Sequence, residues 1–303
     1  MQLRQALNSA IERLIAANVP SPRMNAELLI MFTLDCDRAY LYAHPERELT
    51  ADETARYDAT LARRASGVPA QYITGHQEFW GIDFVVSPAV LIPRPETEHV
   101  VEAVLELVSA AEASQSQNQQ QDQEPRTGVS APHELRIVDA GTGSGAIALA
   151  LARELPFAEI DATDISEEAL EIARANAARH ELSPRVAFHH TDLLTGLPLG
   201  AFDFVVSNPP YVGESEEDTV QLEVRKFEPR GAVFAGPTGL EVIERLIPQA
   251  HAALRTGGWL VFEIGGTIVD GVRRLLASWS DVAIKKDLQG IPRVAIARKS
   301  SGS

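Results

Sequence analysis

Basic charge is what this chain most lacks. Its 303 residues include 27 lysines and arginines against 42 aspartates and glutamates, a formal net charge of −15. A protein that grips duplex DNA or structured RNA across a broad face needs a basic footprint, so no direct nucleic-acid binding is expected. Cysteine is almost missing as well. The single Cys36 excludes an internal disulfide framework and fits a reducing compartment. Its neighbours Asp35 and Asp37 would raise a thiol pKa, which favours an inert, partly buried thiol over a nucleophile. No stretch reaches the roughly 18 apolar residues needed to span a bilayer, and Met1 to Gln5 lead into an amphipathic pattern without a signal-peptide core. These absences together predict a cytoplasmic protein with no membrane association.

What is present is ordinary globular material, 45% hydrophobic and 23% charged, enough for a large domain and a small one. Leu3, Leu7, Ile11, Leu14 and Ile15 form a helical stripe. Ser21-Pro22 reads as a serine cap and first-turn proline for a second helix carrying Met24, Leu28, Leu29, Met31 and Phe32. Thr50-Ala51-Asp52-Glu53 resembles a capping box that opens a third helix to about Ser66, and shorter helical pieces fill residues 37–48. Residues 1–70 thus read as a small all-helical domain. It holds no catalytic constellation, so recognition or packing is its expected role.

Residues 71–92 read as a β-hairpin connector, with Phe79 to Val86 alternating as a strand pair that turns at Gly81. Residues 93–303 make the larger domain. An extended proline-punctuated segment runs over 88–95 and a helix over 96–108; a glutamine-rich stretch over 111–133 predicts a flexible polar loop. Strand and helix patterns then alternate. Seven strands are expected at 135–139, 159–164, 185–190, 202–207, 259–264, 281–286 and 293–298. Helices are expected at 146–155, 166–180, 240–254 and 268–278. The class is α/β, a parallel sheet with helices on both faces. The last two strands have no helix between them, so at least one must run antiparallel.

Two segments carry chemistry. Asp139-Ala140-Gly141-Thr142-Gly143-Ser144-Gly145 joins the first strand of the sheet to a helix, and its glycines let the backbone approach a ligand closely. The spacing is not the Gly-x-Gly-x-x-Gly that seats a dinucleotide pyrophosphate. Asp164 ends the next strand, where a carboxylate can accept both hydroxyls of a ribose. The second segment is Asn208-Pro209-Pro210-Tyr211, at the end of an apolar strand. Two prolines remove two backbone donors and hold the chain extended. With the Asn208 side chain they form a cluster of acceptors beside the aromatic wall of Tyr211, suited to gripping an NH2 group. Acceptors from Asn208 and the Pro209 carbonyl would hold both hydrogens and turn the lone pair of a poorly nucleophilic nitrogen towards an electrophile. Adjacent His189 and His190 face opposite sides of a strand and lack companion ligands, so no metal site is expected.

The glycine loop is similar to motif I of S-adenosylmethionine-dependent methyltransferases. In many of these enzymes an acid at the place of Asp192 receives the adenine amino group. The Asn-Pro-Pro-Tyr motif occurs in relatives acting on adenine or cytosine amino groups and on glutamine amides. Further segments narrow the resemblance: Tyr72-Ile73-Thr74-Gly75, Phe79-Trp80-Gly81, the run from Val90 to Glu98, Glu228-Pro229, Gly239-Leu240, Glu263-Ile264-Gly265 and Asp287-Leu288. With the tetrapeptide they closely resemble the release-factor glutamine methyltransferases (the HemK/PrmC family), from about Leu3 to Arg298.

That resemblance implies a Rossmann-like, seven-stranded class I methyltransferase domain preceded by a small all-helical domain and a β-hairpin connector. It implies S-adenosylmethionine as cofactor, class 1 peptide-chain release factors as protein partner, and methylation of the glutamine in their Gly-Gly-Gln loop. By the same carry-over Gly141, Thr142, Gly143, Ser144, Gly145, Asp164, Asp192, Leu193 and Asn208 touch the cofactor. Asn208, Pro209, Pro210 and Tyr211 hold the acceptor glutamine. Leu193 stands where the family often has an aromatic, and Ile268 where relatives commonly carry glutamine. Arg94 and Glu96 read equally as an ion pair or as substrate contacts. Trp80 and Phe79 read as hairpin core. A ribosomal-protein glutamine methyltransferase and a DNA adenine methyltransferase are the alternatives. The N-terminal segments Ser21-Pro22-Arg23 and Ala26-Glu27-Leu28-Leu29 favour the release-factor type.

Overall fold

The computed structural model describes residues 1–121 and 135–300, which fall into two compact units. The first comprises Met1–His76, Val86–Pro88 and Thr219–Glu228. Its helices are α1 (Leu3–Ala16), α2 (Pro22–Leu34), α3 (Arg38–Ala43), α4 (Ala51–Ala65) and α5 (Ala70–Thr74). They close on one buried cluster that includes Leu3, Leu14, Leu29, Ile30, Tyr57 and Leu61. Thr50 and Glu53 form the expected capping box at the start of α4. Ser21 behaves differently. It sits in the left-handed region (φ 48°) and its side chain caps nothing. Its carbonyl instead accepts from the backbone N–H and the side-chain amide of Asn25, at 3.1 and 3.2 Å. A left-handed residue turns its Cβ away from the first-turn N–H groups, and the Asn25 side chain secures the corner in its place. Cys36 has its thiol pKa raised, chiefly by burial, with the flanking aspartates contributing less.

The hairpin pairs β1 (His76–Phe79) with β2 (Ile82–Val85). Trp80 and Gly81 at its turn both have positive φ, 54° and 67°, the signature of a tight primed turn. Phe79 is buried edge-on against Phe84, and the Trp80 indole donates to Glu154. A 3-10 turn over Pro95–Thr97 precedes α6 (Glu98–Gln121). The helix runs well past 108 into the predicted loop. Ala110, Ala111 and Ala113 followed by serine and glutamine offer no glycine or proline before Pro125 to stop it. The rest of the glutamine-rich segment lies outside the described residues.

The sheet follows: β3 (Arg136–Ala140), α7 (Ala146–Glu154), β4 (Glu159–Asp164), α8 (Glu167–Arg179), β5 (Val186–His190) and β6 (Phe202–Ser207). A short parallel pair, β7 (Val212–Gly213) with β8 (Phe234–Gly236), brackets α9 (Leu222–Phe227) and α10 (Arg230–Val233). The chain closes with α11 (Glu241–Ala253), β9 (Leu254–Glu263), α12 (Val269–Leu275), β10 (Ser280–Lys286) and β11 (Pro292–Arg298). Strand order is β10-β11-β9-β6-β3-β4-β5, and β11 alone runs against the rest. On one face Val138, Val205, Leu260 and Phe262 pack with Ile243, Leu246 and Ala250 of α11 and Val272 of α12. Ile137, Phe204, Val206 and Val261 alternate with them and are buried too, so both faces are covered. Each such side chain contributes about 1.5–3 kcal/mol. Among the described residues no helix is long and apolar enough to cross a membrane.

Asn176, buried on α8, joins the hairpin to the glycine loop. Its Nδ2 donates to the carbonyls of Val85 (3.0 Å) and Ser144 (2.9 Å), and its Oδ1 accepts from Val85 N (2.7 Å). Asn176→Ala leaves three backbone groups without this partner, the Ser144 carbonyl buried and the Val85 N–H and carbonyl part-buried. It is expected to lower unfolding free energy by about 2–4 kcal/mol in urea titration.

Candidate active site

The chain leaves β3, runs outward to β4 and β5, and returns to the other side of β3 as β6. That reversal leaves a crevice beyond the C-terminal ends of β3 and β6, where ligands bind in open α/β sheets. Ala140 pairs with Ser207, and the Ser207 hydroxyl donates to the Ala140 carbonyl at 2.7 Å. The glycine loop and Asn208 therefore leave the sheet side by side. Thr163 pairs with Ala140 on the other flank, and Phe262 with Ser207, so Asp164 and Glu263 stand at the same edge.

Gly141, Gly143 and Gly145 all have positive φ, and a Cβ on Gly141 or Gly143 would meet nothing within 4 Å. Those two therefore border open space at the strand ends. Gly145 is crowded instead, since a Cβ there would lie 3.3 Å from Leu149 Cδ1. The loop is pinned from beneath. Gly141 N and Thr142 N donate to the Thr163 carbonyl, and the Thr142 hydroxyl donates to Asp139 Oδ2 at 2.6 Å.

Asp164 accepts from Gly143 N on Oδ2 and from Ser166 N on Oδ1, each at 2.9 Å. Every carboxylate oxygen has two lone pairs, so both keep acceptor capacity for a pair of hydroxyls. Burial raises the Asp164 pKa despite these bonds. Asp139 lies deeper, and burial pushes its carboxyl up to about 7 while Asp164 adds repulsion. Its Oδ1 is buried without a hydrogen-bond partner among the described residues. Open space before the glycines, acceptors suited to ribose hydroxyls and the unmet Asp139 oxygen beside them fit a nucleoside ligand that carries positive charge.

The acceptor side is built from three chain segments. Asn208 Nδ2 donates to Thr97 Oγ1 at 3.0 Å, and the Thr97 hydroxyl donates to Glu263 Oε2 at 2.5 Å. Tyr211 Oη donates to Glu263 Oε1 at 2.8 Å. The Tyr211 ring also packs over Gly265, where a Cβ would fall 3.1 Å from Cδ2. Glu263 is buried, and its pKa is raised by desolvation. Glu96 pairs with Arg293 at 3.6 Å, and Arg293 binds Asp287 at 2.9 Å.

Other predicted positions have partners of their own. Asp192 is engaged by Arg245 on an exposed surface. Leu193 adopts φ 51° and packs on the central apolar cluster. His189 bonds Asp161, and His190 bonds the Ile165 carbonyl. Among the described residues no group of three or more potential metal ligands occurs. Sequence reasoning assigns no role to Thr97 or Glu263. Glu263 nonetheless carries a readable signal, an acid closing the apolar run Leu260-Val261-Phe262 at the same sheet edge as Asn208.

The chain matches the PrmC N-terminal domain family over residues 5–75 and the Methyltransferase small domain family over 127–226. It is 54% identical to the release factor glutamine methyltransferase of Koribacter versatilis over 302 residues, 99% of each chain. It is 41% identical to that of Moorella thermoacetica over 300 residues, 98% of each chain. A crystal structure of the hMettl16 catalytic domain in complex with MAT2A 3'UTR hairpin 6 shares the fold. Its TM-score is 0.54 at 17% identity, covering 88% of this chain and 93% of that one. Sheet order, glycine loop and the methyltransferase family match define a methyltransferase with a Rossmann-like fold. The full-length relatives narrow the class, and the chain belongs to the release factor glutamine methyltransferase family.

Asp139 gives a test of the site's electrostatics. A folded-state pKa near 7 against an ordinary 3.8 means its charge destabilises the fold increasingly as pH rises from 4 through 7. Asp139→Asn keeps an oxygen for Thr142 and Ala148. The melting temperature of D139N minus that of the native chain should therefore grow from pH 4 to pH 8. A difference flat across that range would contradict the assignment.

Proposed function

We propose that this chain transfers a methyl group from S-adenosylmethionine to the side-chain amide nitrogen of the glutamine in the Gly-Gly-Gln motif of class 1 release factors. The observation that carries the reading is the Asn208 to Tyr211 grip held at the crevice edge beside the glycine loop. Full-length identity to release factor glutamine methyltransferases supports the choice of substrate over a ribosomal protein or DNA, as does the −15 net charge over DNA.

S-adenosylmethionine, when bound, supplies an electrophilic methyl carried on a sulfonium sulfur. Residues Gly141 to Gly145 would hold it, with Asp164 on the ribose hydroxyls and Asp192, Leu193 and Asn208 as further contacts. Asn208 Oδ1 and the Pro209 carbonyl accept the two N–H groups of the substrate amide. Pro210 keeps this segment extended, and Tyr211 bounds the planar amide on one face. The grip favours a pyramidal nitrogen with its lone pair turned to the methyl. As the N–C bond forms, the methyl's bond to sulfur would break with its electron pair left on a neutral thioether; the nitrogen becomes acidic, and one of its protons leaves to water without a strong base. The first unit recognises the protein substrate. Its exposed Met24 (58%), Phe32 (47%) and Tyr42 (61%) support that role, as does a cavity of about 400 Å³ lined by Ser21, Pro22, Arg23, Met24, Glu27 and Arg38. Release factors work with ribosomes, which supports a cytoplasmic location for the reaction.

Purified protein and labelled cofactor should label a release factor and not one whose loop glutamine is replaced; ribosomal protein and unmethylated DNA should stay unlabelled. Label on the replaced release factor would reject the reading. Asn208→Ala is expected to lower turnover roughly 10²-fold or more, with a much smaller change in cofactor affinity by calorimetry.

A further inference from the structure

The grip on the substrate amide works only if Asn208 presents oxygen, not nitrogen, to it. An amide side chain is nearly symmetric in shape, so its neighbours must choose which end faces inward. Here the neighbour is a hydroxyl, which can either donate or accept. Thr97 has one proton and that proton lies towards Glu263 Oε2, at 2.5 Å. Its oxygen can then only accept from Asn208, and Nδ2 fills the place at 3.0 Å.

We infer that Glu263 is a positioning residue that sets the polarity of the acceptor grip through Thr97. The Thr97 and Tyr211 hydroxyls both donate to Glu263 and favour its ionised form against the effect of burial, and a carboxylate accepts and does not donate. It therefore draws the Thr97 proton inward, draws Asn208 Nδ2 to Thr97, and leaves Oδ1 for the substrate amide. Its second oxygen takes the Tyr211 hydroxyl at 2.8 Å, which holds the ring against Gly265. One buried side chain thus orients both ends of the tetrapeptide. Glu263 ends β9, whose Phe262 pairs with the Ser207 that precedes Asn208, so the strand register fixes its position.

The inference rests on Asn208 being the acceptor grip, and it makes a prediction that packing alone does not. Glu263→Gln keeps shape and volume but adds a donor. The new NH2 can donate to Thr97, whose proton then turns to Asn208; the amide flips and offers NH2 to NH2. Turnover on release factor should fall roughly 10²-fold, with substrate KM and cofactor affinity within a few-fold of the native values. Thr97→Val, isosteric but without a hydroxyl, should reproduce the loss. Thr97→Ser, which keeps the hydroxyl, should restore turnover to within a few-fold. Melting temperature and cofactor calorimetry verify that each variant is folded, and the threonine pair carries the test if E263Q does not fold. Native-like turnover in T97V or E263Q would overturn the inference, as would equal loss in T97S and T97V. Failure of the native enzyme to label release factor would instead strike the proposed function.

Discussion

The parallel pairing of β3 with β6 is the contact on which the rest depends. It joins two strands far apart in sequence and ends both at one level, Ala140 beside Ser207. Everything chemical then follows from what comes next on each strand. After Ala140 the backbone enters a run of left-handed glycines. After Ser207 it enters Asn208 and two prolines. A slip of one residue would reverse the face of every side chain on β6, breaking the packing on both covered faces and taking Ser207 out of line with Ala140. The apolar packing of α11 and α12 on one face and the covered residues on the other hold that register.

The site concentrates buried carboxylates. Asp139, Asp164 and Glu263 stand at or near the C-terminal ends of β3, β4 and β9, with β6 between β3 and β9, and burial raises the pKa of all three. Such groups weaken a fold unless their oxygens are met by donors. Glu263 has two hydroxyl donors and Asp164 two backbone donors, whereas Asp139 keeps one oxygen unmet. The other oxygen of Asp139 holds the glycine loop through the Thr142 hydroxyl. Strain of this kind at a ligand site, and compensation away from it, is the pattern expected where stability yields to binding.

Much of this architecture is legible in the order of the amino acids. The alternation of strand and helix patterns predicts the parallel sheet and its antiparallel member because periodicity reports burial directly. The capping box at Thr50 is equally plain, since reciprocal bonds over four residues are a local matter. Ser21 misleads for the same reason: serine before proline satisfies the local rule, but a left-handed backbone and the Asn25 side chain override it. The helix past 108 escapes the pattern because glutamine and serine are polar yet compatible with helix. Thr97 lies within the Val90 to Glu98 run that helps carry the family resemblance, but its partners are 111 and 166 residues away. No local pattern could join them.

The division between local and distant information also explains what the grip does and does not specify. Acceptors from Asn208 and Pro209 against the Tyr211 ring suit any planar group bearing NH2, whether a nucleobase amine or a glutamine amide. The catalytic edge therefore sets the reaction, and the choice of substrate must come from surfaces that meet the rest of the molecule carrying that group. An acidic surface disfavours a phosphate backbone at every distance inside the Debye length. A helical unit with exposed Met24, Phe32 and Tyr42 offers apolar anchors of the kind that protein partners fill. The reaction and the choice of substrate are then separate problems, one answered at the strand ends and the other at surfaces outside them.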